Sequence, residues 1–262
     1  MTRPAITLVI KGGVADLTLT RGDIGNPVNG EFCDALYDAA VTLSDRTDVR
    51  AIVLRAEGPA FSYGGDIASF VDRIDELPRI MRQWTGNFHT GIIRLLRLDA
   101  PIIASIHNVC AGGMVALVAG ADFVIGCENT KFAAAYTGIG LACDGGASVS
   151  LVDRMGKVGA RRFLLLNQTL DAEAAEAAGL LDERVRADAL DERTTALAKQ
   201  VAAGPTRAYG EIRRLLRMSG TLPIEAQLEA EAQAMARTAG TTDAREGISA
   251  FAAKRRPVFS GE

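Results

Sequence analysis

Residues 102–121 have the sequence IIASIHNVCAGGMVALVAGA, in which Gly112 and Gly113 separate two apolar runs. The first run is typical of a buried strand and the second of a buried helix, because neither has a polar face. A strand that turns into a helix at two glycines leaves unpaired backbone N–H groups, and the helix dipole adds partial positive charge there. The turn is therefore predicted to hold an anion or a developing oxyanion.

A second turn of this kind is predicted at residues 61–67, which have the sequence FSYGGDI. Glycines again follow a predicted strand end, so backbone N–H groups are open to a ligand there. Two such turns together are what a site that polarises a carbonyl oxygen needs.

The composition favours one soluble domain that binds neither nucleic acid nor membrane. The chain has 262 residues, of which 48% are hydrophobic, enough to build a large core. Its 29 basic and 32 acidic residues give a net charge of -3, whereas a nucleic-acid surface would be basic. No apolar run reaches the length of a membrane span, and the first residues lack the pattern of a signal peptide. We therefore expect a cytoplasmic protein.

Cysteine and histidine usage gives no indication of a metal site. The four cysteines contain no CxxC pair, and the chain has only two histidines. Free cysteines suit a reducing cytosol better than a disulfide framework. We expect neither a structural zinc ion nor disulfide bonds.

Strands and helices alternate through the first half of the chain. The predicted strands are nearly all apolar, as in a parallel sheet covered on both faces. This alternation predicts an α/β fold. Predicted strands span 6–10, 14–20, 50–55, 101–106 and 122–126, and predicted helices span 31–44, 77–98 and 113–120.

From residue 161 onward the pattern predicts only helices, which end at glycine and proline residues. The last two helices have few large apolar residues, so they suit packing on another subunit better than a closed core. We therefore expect an oligomer. The predicted helices span 161–166, 172–178, 189–203, 206–218, 224–238 and 241–254.

Three stretches of sequence, in order, carry a resemblance to a known family. They are GPAFSYGGDI, APIIASIHNVCAGGMVAL and FAAAYTGIGLACDGGAS, and weaker similarity follows as far as FAAKRRPVF. Over nearly its whole length the chain resembles the crotonase family, also called the enoyl-CoA hydratase/isomerase superfamily. The resemblance implies a ClpP-like α/β spiral of ββα units over residues 1–200. It also implies a helical region over residues 201–262 that contacts CoA and forms homotrimers, often paired into hexamers.

The resemblance also implies a substrate and one shared chemical device. Members of the family bind acyl-CoA thioesters, so coenzyme A is part of the substrate and no further cofactor is expected. Two backbone N–H groups hold the thioester oxygen while it carries enolate-like negative charge. In this sequence the two donors correspond to Gly65 and Gly113, whose lack of a side chain lets the substrate approach.

The sequence departs from the pattern of the family's hydratases, which hold and activate water with two glutamates. The first glutamate corresponds to Ala116 here, and the second falls near Tyr136 and Thr137, where no carboxylate stands. Alanine cannot transfer a proton. A standard two-glutamate hydration is therefore not predicted.

Asp144 is the nearby carboxylate, and it has two interpretations. A lone aspartate before two glycines commonly forms a turn or caps a helix. The resemblance instead gives it chemistry, because isomerases and 4-chlorobenzoyl-CoA dehalogenases of the family place their catalytic aspartate at this position. In an isomerase the carboxylate moves a proton between two carbons, and in a dehalogenase it attacks the ring as a nucleophile.

The two histidines are also open to interpretation. His89 matches a histidine that the dehalogenases use as a base, although it could equally line the acyl pocket. His107 stands where most members of the family have asparagine, and we interpret it as structural.

Further residues are predicted around the two ends of the substrate. The candidates to line the acyl pocket are aromatic: Tyr63, Trp84 and Tyr136. The candidates to contact CoA are Arg21, Phe251 and Lys254. The last two belong to the C-terminal helix, whose basic residues reach the nucleotide phosphates in the family. A terminal basic run is otherwise simply solvated.

The leading hypothesis is an acyl-CoA isomerase in which Asp144 is the acid and base and Gly65 and Gly113 hold the enolate. Three alternatives remain open. One is an enoyl-CoA hydratase with non-standard residues. Another is dehalogenase- or thioesterase-like hydrolysis that uses Asp144 and His89. The third is a non-catalytic acyl-CoA-binding protein.

Overall fold

A computed structural model describes residues 3–262, in which a six-stranded sheet forms the centre of the fold. Its strands are Ile6–Lys11 (β1), Val14–Leu19 (β2), Ala51–Ala56 (β3), Ile102–Ile106 (β4), Phe123–Cys127 (β6) and Glu183–Val185 (β9). The strands lie in the order β1-β2-β3-β4-β6-β9. The β1–β2 hairpin is antiparallel, and every other neighbouring pair in this sheet is parallel.

Three short strands form a second sheet. They are Val109–Ala111 (β5), Lys131–Ala133 (β7) and Thr169–Asp171 (β8), with β7 between the other two. Strand β5 begins just after β4 ends and leads directly into the glycine turn. The sequence predicted that the turn follows the buried strand β4. In the structure it follows β5 and so belongs to the small sheet.

Helices pack on both faces of the central sheet. Successive residues of β3 point to opposite faces, so Ile52 and Leu54 join one apolar cluster and Ala51 and Val53 join another. The predicted coverage of both faces is confirmed. The helices are Gly30–Ser44 (α1), Ile67–Asp72 (α2), Leu77–Arg97 (α3), Gly113–Ala119 (α4), Ala147–Leu165 (α5), Ala172–Ala177 (α6), Leu190–Ala202 (α7), Thr206–Met218 (α8), Ile224–Ala239 (α9) and Thr242–Ala252 (α10).

The structure confirms the α/β alternation and corrects the second half of the chain. The prediction of helices only beyond residue 161 is wrong, because β8 and β9 lie there. Each of these strands has three residues and pairs with one neighbour, so its sequence carries no alternating apolar pattern. The helix predicted at 161–166 is the end of α5, which has a break at Gly156.

Helix α8 is attached to the core by Arg213, whose side chain is 6% exposed. The guanidinium donates hydrogen bonds to Asp122 and to the carbonyl oxygens of Leu98 and Ala100. Helices α9 and α10, in contrast, leave large apolar side chains in solvent. These are Ile224, Leu228, Met235, Ile248 and Phe251.

Neither a membrane-spanning helix nor a cluster of metal-ligating side chains occurs within residues 3–262. Every helix within residues 3–262 is too short or too polar to cross a membrane. The same residues contain no group of three or more His, Cys, Asp or Glu side chains that could hold a metal ion. The predicted absence of a metal cofactor stays a prediction.

Candidate active site

Two glycine turns meet where β5 ends. Ser62 pairs with β5, because its N–H donates to Val109 O at 3.0 Å and its carbonyl accepts from Ala111 N–H at 3.1 Å. A methyl group placed on Gly112 would lie 3.7 Å from Gly64 Cα. Gly112 has φ 56° and ψ -132°, a conformation that glycine adopts without a steric cost. The two turns are therefore in contact.

The sequence predicted that the first turn follows the end of a strand, and this prediction is wrong. Strand β3 ends at Ala56, and the chain returns to the site through isolated bridges at Ser62 and Gly65. Gly65 pairs with Val28, so this turn is held by single contacts between loops. These contacts join residues far apart in sequence, which a local pattern does not reveal.

The turns leave two backbone N–H groups unpaired, those of Gly65 and Gly113. Neighbouring N–H groups do have acceptors: Gly64 donates to the Ser62 hydroxyl at 3.0 Å, and Gly112 donates to a carbonyl of β7 at 3.0 Å. Among the described residues, neither Gly65 N–H nor Gly113 N–H donates a hydrogen bond. The two groups predicted to be donors are therefore available to a ligand.

A phenylalanine ring packs on each of these glycines. A methyl group placed on Gly65 would lie 3.1 Å from the Phe70 ring, and one on Gly113 would lie 3.4 Å from the Phe88 ring. A side chain at position 65 would have to push the Phe70 ring aside, whereas one at position 113 would be in contact with the Phe88 ring. The rings and the glycine backbone therefore hold each other in place.

Two helix N-termini are joined beside Gly65. Asp66 caps α2 by accepting from Ser69 N–H at 3.0 Å, and it also accepts from Asn29 Nδ2 at 3.0 Å. Asn29 in turn caps α1 by accepting from Phe32 N–H at 3.1 Å. Burial would raise the pKa of Asp66, but the hydrogen bonds from Asn29 and Ser69 outweigh burial and lower it.

The Asp144 carboxyl group lies beside Gly113. A methyl group placed on Gly113 would lie 3.2 Å from Asp144 Oδ1, and Tyr136 OH donates to this oxygen at 2.9 Å. Among the described residues, Oδ2 accepts no hydrogen bond. Burial raises the pKa of Asp144, against the opposing effects of Tyr136 and the nearby His89. Asp144 does not cap α5, whose N-cap residue is Gly146.

Tyr136 is a hydrogen-bond donor to Asp144 over the whole range in which the carboxyl group titrates. Burial raises the pKa of Tyr136, and the charge of Asp144 raises it further. The phenol therefore stays protonated. It stabilises the ionised form of Asp144 and fixes the position of one of its oxygens.

His89 supports the loop that carries Asp144. Gly145 N–H donates to His89 Nε2 at 3.0 Å, so this contact assigns the neutral ring a proton on Nδ1. Gly145 has φ 61°, and a methyl group placed on it would lie 2.8 Å from the Phe88 ring and 3.0 Å from Ala116 Cβ. His89 is not among the residues that border the cavity described next.

A cavity of about 570 Å³ connects the two N–H donors with Asp144. The three aromatic residues predicted to line the acyl pocket all border it. Sequence reasoning did not name five further apolar side chains of the wall: Phe70, Met81, Phe88, Ile139 and Leu141. One face of α3 carries Met81, Trp84 and Phe88 at helical spacing. Because Trp84 was predicted to line the pocket, this spacing could have identified Met81 and Phe88 as well.

Cys33 of α1 also borders the cavity. Burial raises the pKa of its thiol to about 12, and the charges of Asp144 and Asp34 add to this effect. A thiol with so high a pKa is not a nucleophile at neutral pH. Cys33 is therefore a small apolar part of the wall.

The structure does not bring the residues predicted to contact CoA to this cavity. Arg21 donates to Glu31 at 2.8 Å, and neither residue borders the cavity. Phe251 is 85% exposed at the end of α10, and Lys254 is also exposed. A contact between these residues and CoA stays a prediction. His107 Nε2 lies 3.0 Å from Gly58 O, outside the cavity.

Comparison with known proteins agrees with the fold. A family model described as enoyl-CoA hydratase/isomerase matches residues 9–262. The chain therefore belongs to the enoyl-CoA hydratase/isomerase family, and it has the α/β crotonase fold of that family.

Particular relatives cover almost the whole chain. It is 30% identical to 1,2-epoxyphenylacetyl-CoA isomerase of Escherichia coli, with 97% of each chain covered. It is 27% identical to trans-2-decenoyl-[acyl-carrier-protein] isomerase of Streptococcus mutans, also with 97% of each covered. A crystal structure from Mycobacterium abscessus, described as an enoyl-CoA hydratase/isomerase, has a TM-score of 0.93 at 32% identity and covers 98% of this chain and 100% of its own.

Proposed function

We propose that the protein is an acyl-CoA isomerase that shifts a carbon–carbon double bond through an enolate. The proposal rests on the Asp144 carboxyl group, which lies beside Gly113 at a cavity that two unpaired N–H groups also border. Ionised Asp144 removes a proton from a carbon next to the double bond, and the electrons of that C–H bond pass to the thioester oxygen. The carboxyl group then returns the proton to a different carbon, and the double bond re-forms at its new position.

The two N–H groups stabilise the charge that develops on the thioester oxygen. They are backbone donors fixed by packing, so they need no reorganisation when the charge forms. In other enzymes, loss of one such donor raises the barrier by about 3–4 kcal/mol. Gly65 and Gly113 would thus supply a substantial part of the rate enhancement.

Burial suits Asp144 to both proton transfers. A desolvated carboxylate binds a proton more strongly than an exposed one, so its ionised form is the stronger base. Its protonated form is then available to complete the reaction. Tyr136 holds Oδ1, which leaves Oδ2 to exchange the proton.

Two observations favour isomerisation over hydration. Asp144 is the only carboxylate among the described residues that border the cavity, whereas hydratases of the family use two. Ala116, at the place of the first hydratase glutamate, is buried where it cannot hold water. Two of the relatives above are also named isomerases.

The contact between His89 and Gly145 weighs against hydrolysis. A hydrolytic reaction would use Asp144 as nucleophile and His89 as the base that activates water. His89 Nε2 accepts a hydrogen bond from Gly145, so that bond would have to break before this nitrogen could take a proton.

Mass spectrometry in deuterated water tests the proposed reaction. A 3-enoyl-CoA should give the 2-enoyl isomer, resolved by chromatography, with no water added. Deuterium should enter to the extent that the proton on Asp144 exchanges with solvent before it is returned. Addition of water would indicate a hydratase, and release of free CoA would indicate hydrolysis; either result would overturn the proposal. Unchanged 2-enoyl, 3-enoyl and aromatic thioesters would favour a non-catalytic acyl-CoA-binding protein.

We further propose that residues 201–262 form subunit contacts in a homotrimer or a dimer of trimers and contribute to CoA binding. The exposed apolar side chains of α9 and α10 support this proposal, because burial of such groups drives association. Analytical ultracentrifugation gives the mass in solution, and a stable monomer would rule the assembly out.

A further inference from the structure

The cavity contains one charged group. Among the described residues that border it, Asp144 is the only acid, and there is no lysine, arginine or histidine. An acyl group with a second carboxylate would lie near Asp144 without a cation to pair with. Burial of an unpaired charge is strongly unfavourable, so the wall selects an uncharged acyl group.

Aromatic side chains form much of the cavity wall. The rings of Phe70 and Trp84 contact each other with centroids 5.9 Å apart and planes 36° apart. Phe88 and Tyr136 complete the aromatic part of the wall near Gly113 and Asp144. An aromatic ligand in the cavity can therefore contact several aromatic side chains.

Trp84 is held in place by close packing. A methyl group placed on Gly30 would lie 2.8 Å from Trp84 Nε1, so the indole packs directly on the start of α1. Phe70 is similarly fixed by its contact with Gly65. Rigid aromatic side chains lose little conformational entropy when a ligand ring packs on them.

The volume also favours a bulky acyl group. At about 570 Å³ the cavity lies in the range that holds drug-sized ligands. A four-carbon acyl chain would leave much of this apolar wall in contact with water. A larger acyl group would bury it.

We propose that the acyl group of the substrate is uncharged and carries an aromatic ring, which packs between the Phe70–Trp84 pair and Tyr136. The predicted turnover of aromatic substrates rests on the proposed isomerase function. The predicted preference in binding does not depend on it. A thioester whose ring contacts these side chains should bind about tenfold more tightly than one with an alkyl chain of equal carbon number, because aromatic pairs attract each other beyond the effect of buried area.

Trp84 is the single tryptophan of the chain, so its fluorescence reports directly on this part of the cavity. Wild-type protein is titrated with two unreactive thioesters of eleven acyl carbons, 5-phenylpentanoyl-CoA and undecanoyl-CoA. We expect the phenyl compound to bind about tenfold more tightly and to change the emission of Trp84 more strongly. Equal or tighter binding of undecanoyl-CoA would overturn the proposal.

Two variants locate the preference by calorimetry. Trp84→Leu and Phe70→Leu should each reduce the preference for the phenyl compound to about threefold or less, because each removes one aromatic contact. Phe123→Leu removes a ring that does not border the cavity and should leave the preference unchanged. If neither cavity variant changed the ratio, the ring would not lie where we place it.

Turnover separates this inference from the proposed reaction. The enzyme should isomerise 5-phenyl-3-pentenoyl-CoA with a higher kcat/KM than 3-undecenoyl-CoA, and 3-hexenedioyl-CoA should be the poorest substrate because of its free carboxylate. If the phenyl analogue binds tightly but no 3-enoyl-CoA is isomerised, the proposed reaction fails and the substrate class stands. If both uncharged substrates are isomerised equally, the reaction stands and the substrate class fails.

Discussion

The cavity wall that carries Gly65 and Gly113 is built differently from the wall that carries Tyr136 and Asp144. In the first, the groups offered to a ligand are backbone N–H groups, and the neighbouring N–H groups are already paired. In the second, residues 135–146 lie largely at the surface, and the offered group is a single side chain held by one phenol.

This difference separates two parts of the chemistry. Backbone donors survive most substitutions of nearby side chains, so under the proposed function the glycine wall would supply the same stabilisation to any thioester enolate. In the proposed reaction, the position to which the proton moves depends on Asp144, which Tyr136 holds in place. The following substitutions test this separation, from the largest expected effect to the smallest.

Asp144→Asn should have the largest effect on activity. Asparagine has nearly the same shape but cannot accept the proton, so kcat should fall by about 10²–10⁴-fold, the usual contribution of a general acid–base group. Isomerisation of a 3-enoyl-CoA measures it. Asp153→Asn is the matched control, because Asp153 is exposed on α5 and should leave turnover unchanged. Unaltered kcat in Asp144→Asn would show that another group moves the proton.

The same variant should be more stable than wild type at neutral pH. Burial raises the folded-state pKa of Asp144, so its stabilising contribution is present below the unfolded pKa and is lost as pH rises through the folded pKa. At neutral pH the ionised carboxylate thus lowers stability, and neutral asparagine removes that effect. Thermal melts should show a higher Tm for the variant at pH 7, with the difference shrinking in acid. A lower Tm at pH 7 would contradict this sign.

Gly113→Ala should test the glycine wall itself. The added methyl group would lie 3.2 Å from Asp144 Oδ1, so the carboxyl group must shift, and it would lie in ordinary contact with the Phe88 ring at 3.4 Å. We expect a fall in kcat of about 10- to 100-fold, since a small misplacement of reacting groups has effects of this size. Gly86→Ala on α3 is the control, because its methyl group would meet nothing within 4 Å. Full activity in Gly113→Ala would show that the wall tolerates a side chain there.

Tyr136→Phe should change the pH dependence more than the rate. The phenol stabilises ionised Asp144, so its removal raises the pKa of Asp144 further. Activity that needs the carboxylate should then begin to fall at a higher pH, with a loss of about tenfold or less at the optimum. Tyr37→Phe, outside the cavity, is the control. If the acid side of the pH–activity profile did not shift in Tyr136→Phe, the hydrogen bond would only position the carboxyl group.

Asp66→Ala should have the smallest effect on activity, and its main effect should be a lower free energy of unfolding. Loss of an N-cap lowers the free energy of unfolding by about 1 kcal/mol, which corresponds to a Tm decrease of about 2–4 °C at this chain length. The pKa of Asp66 is lowered in the folded state, so its contribution is present above the unfolded pKa and is lost as pH falls through the folded pKa. Asp66→Asn retains a capping oxygen and should lose less. A larger loss in kcat than in stability would place Asp66 in the chemistry.

The two walls also differ in how far the sequence predicted them. The spacing of glycines and apolar runs predicted the two glycine turns and most of the core helices, because these patterns are local. The resemblance assigned the two donors to Gly65 and Gly113. The short strands β5, β7, β8 and β9 were not predicted as separate strands, since their pairing partners lie far away in sequence.

Side-chain orientation in the second wall was also beyond the sequence. Asp144 and Tyr136 were identified through the resemblance, but their mutual hydrogen bond was not. The role of His89 as an acceptor from Gly145 depends on the positive φ of that glycine, which no local pattern specifies. Helix α2, and with it Phe70, was missed because six residues are too few for a clear helical period.

The close packing of Ala116 on Gly145 has a consequence for the evolution of this branch of the family. A glutamate at position 116 would need the space that the Gly145 turn and the Phe88 ring occupy. A variant with glutamate at position 116 would therefore have to move the Gly145 loop, and Asp144 with it, before the new carboxylate could enter the site. A single Ala116→Glu substitution should therefore be insufficient to build a two-carboxylate site on this scaffold.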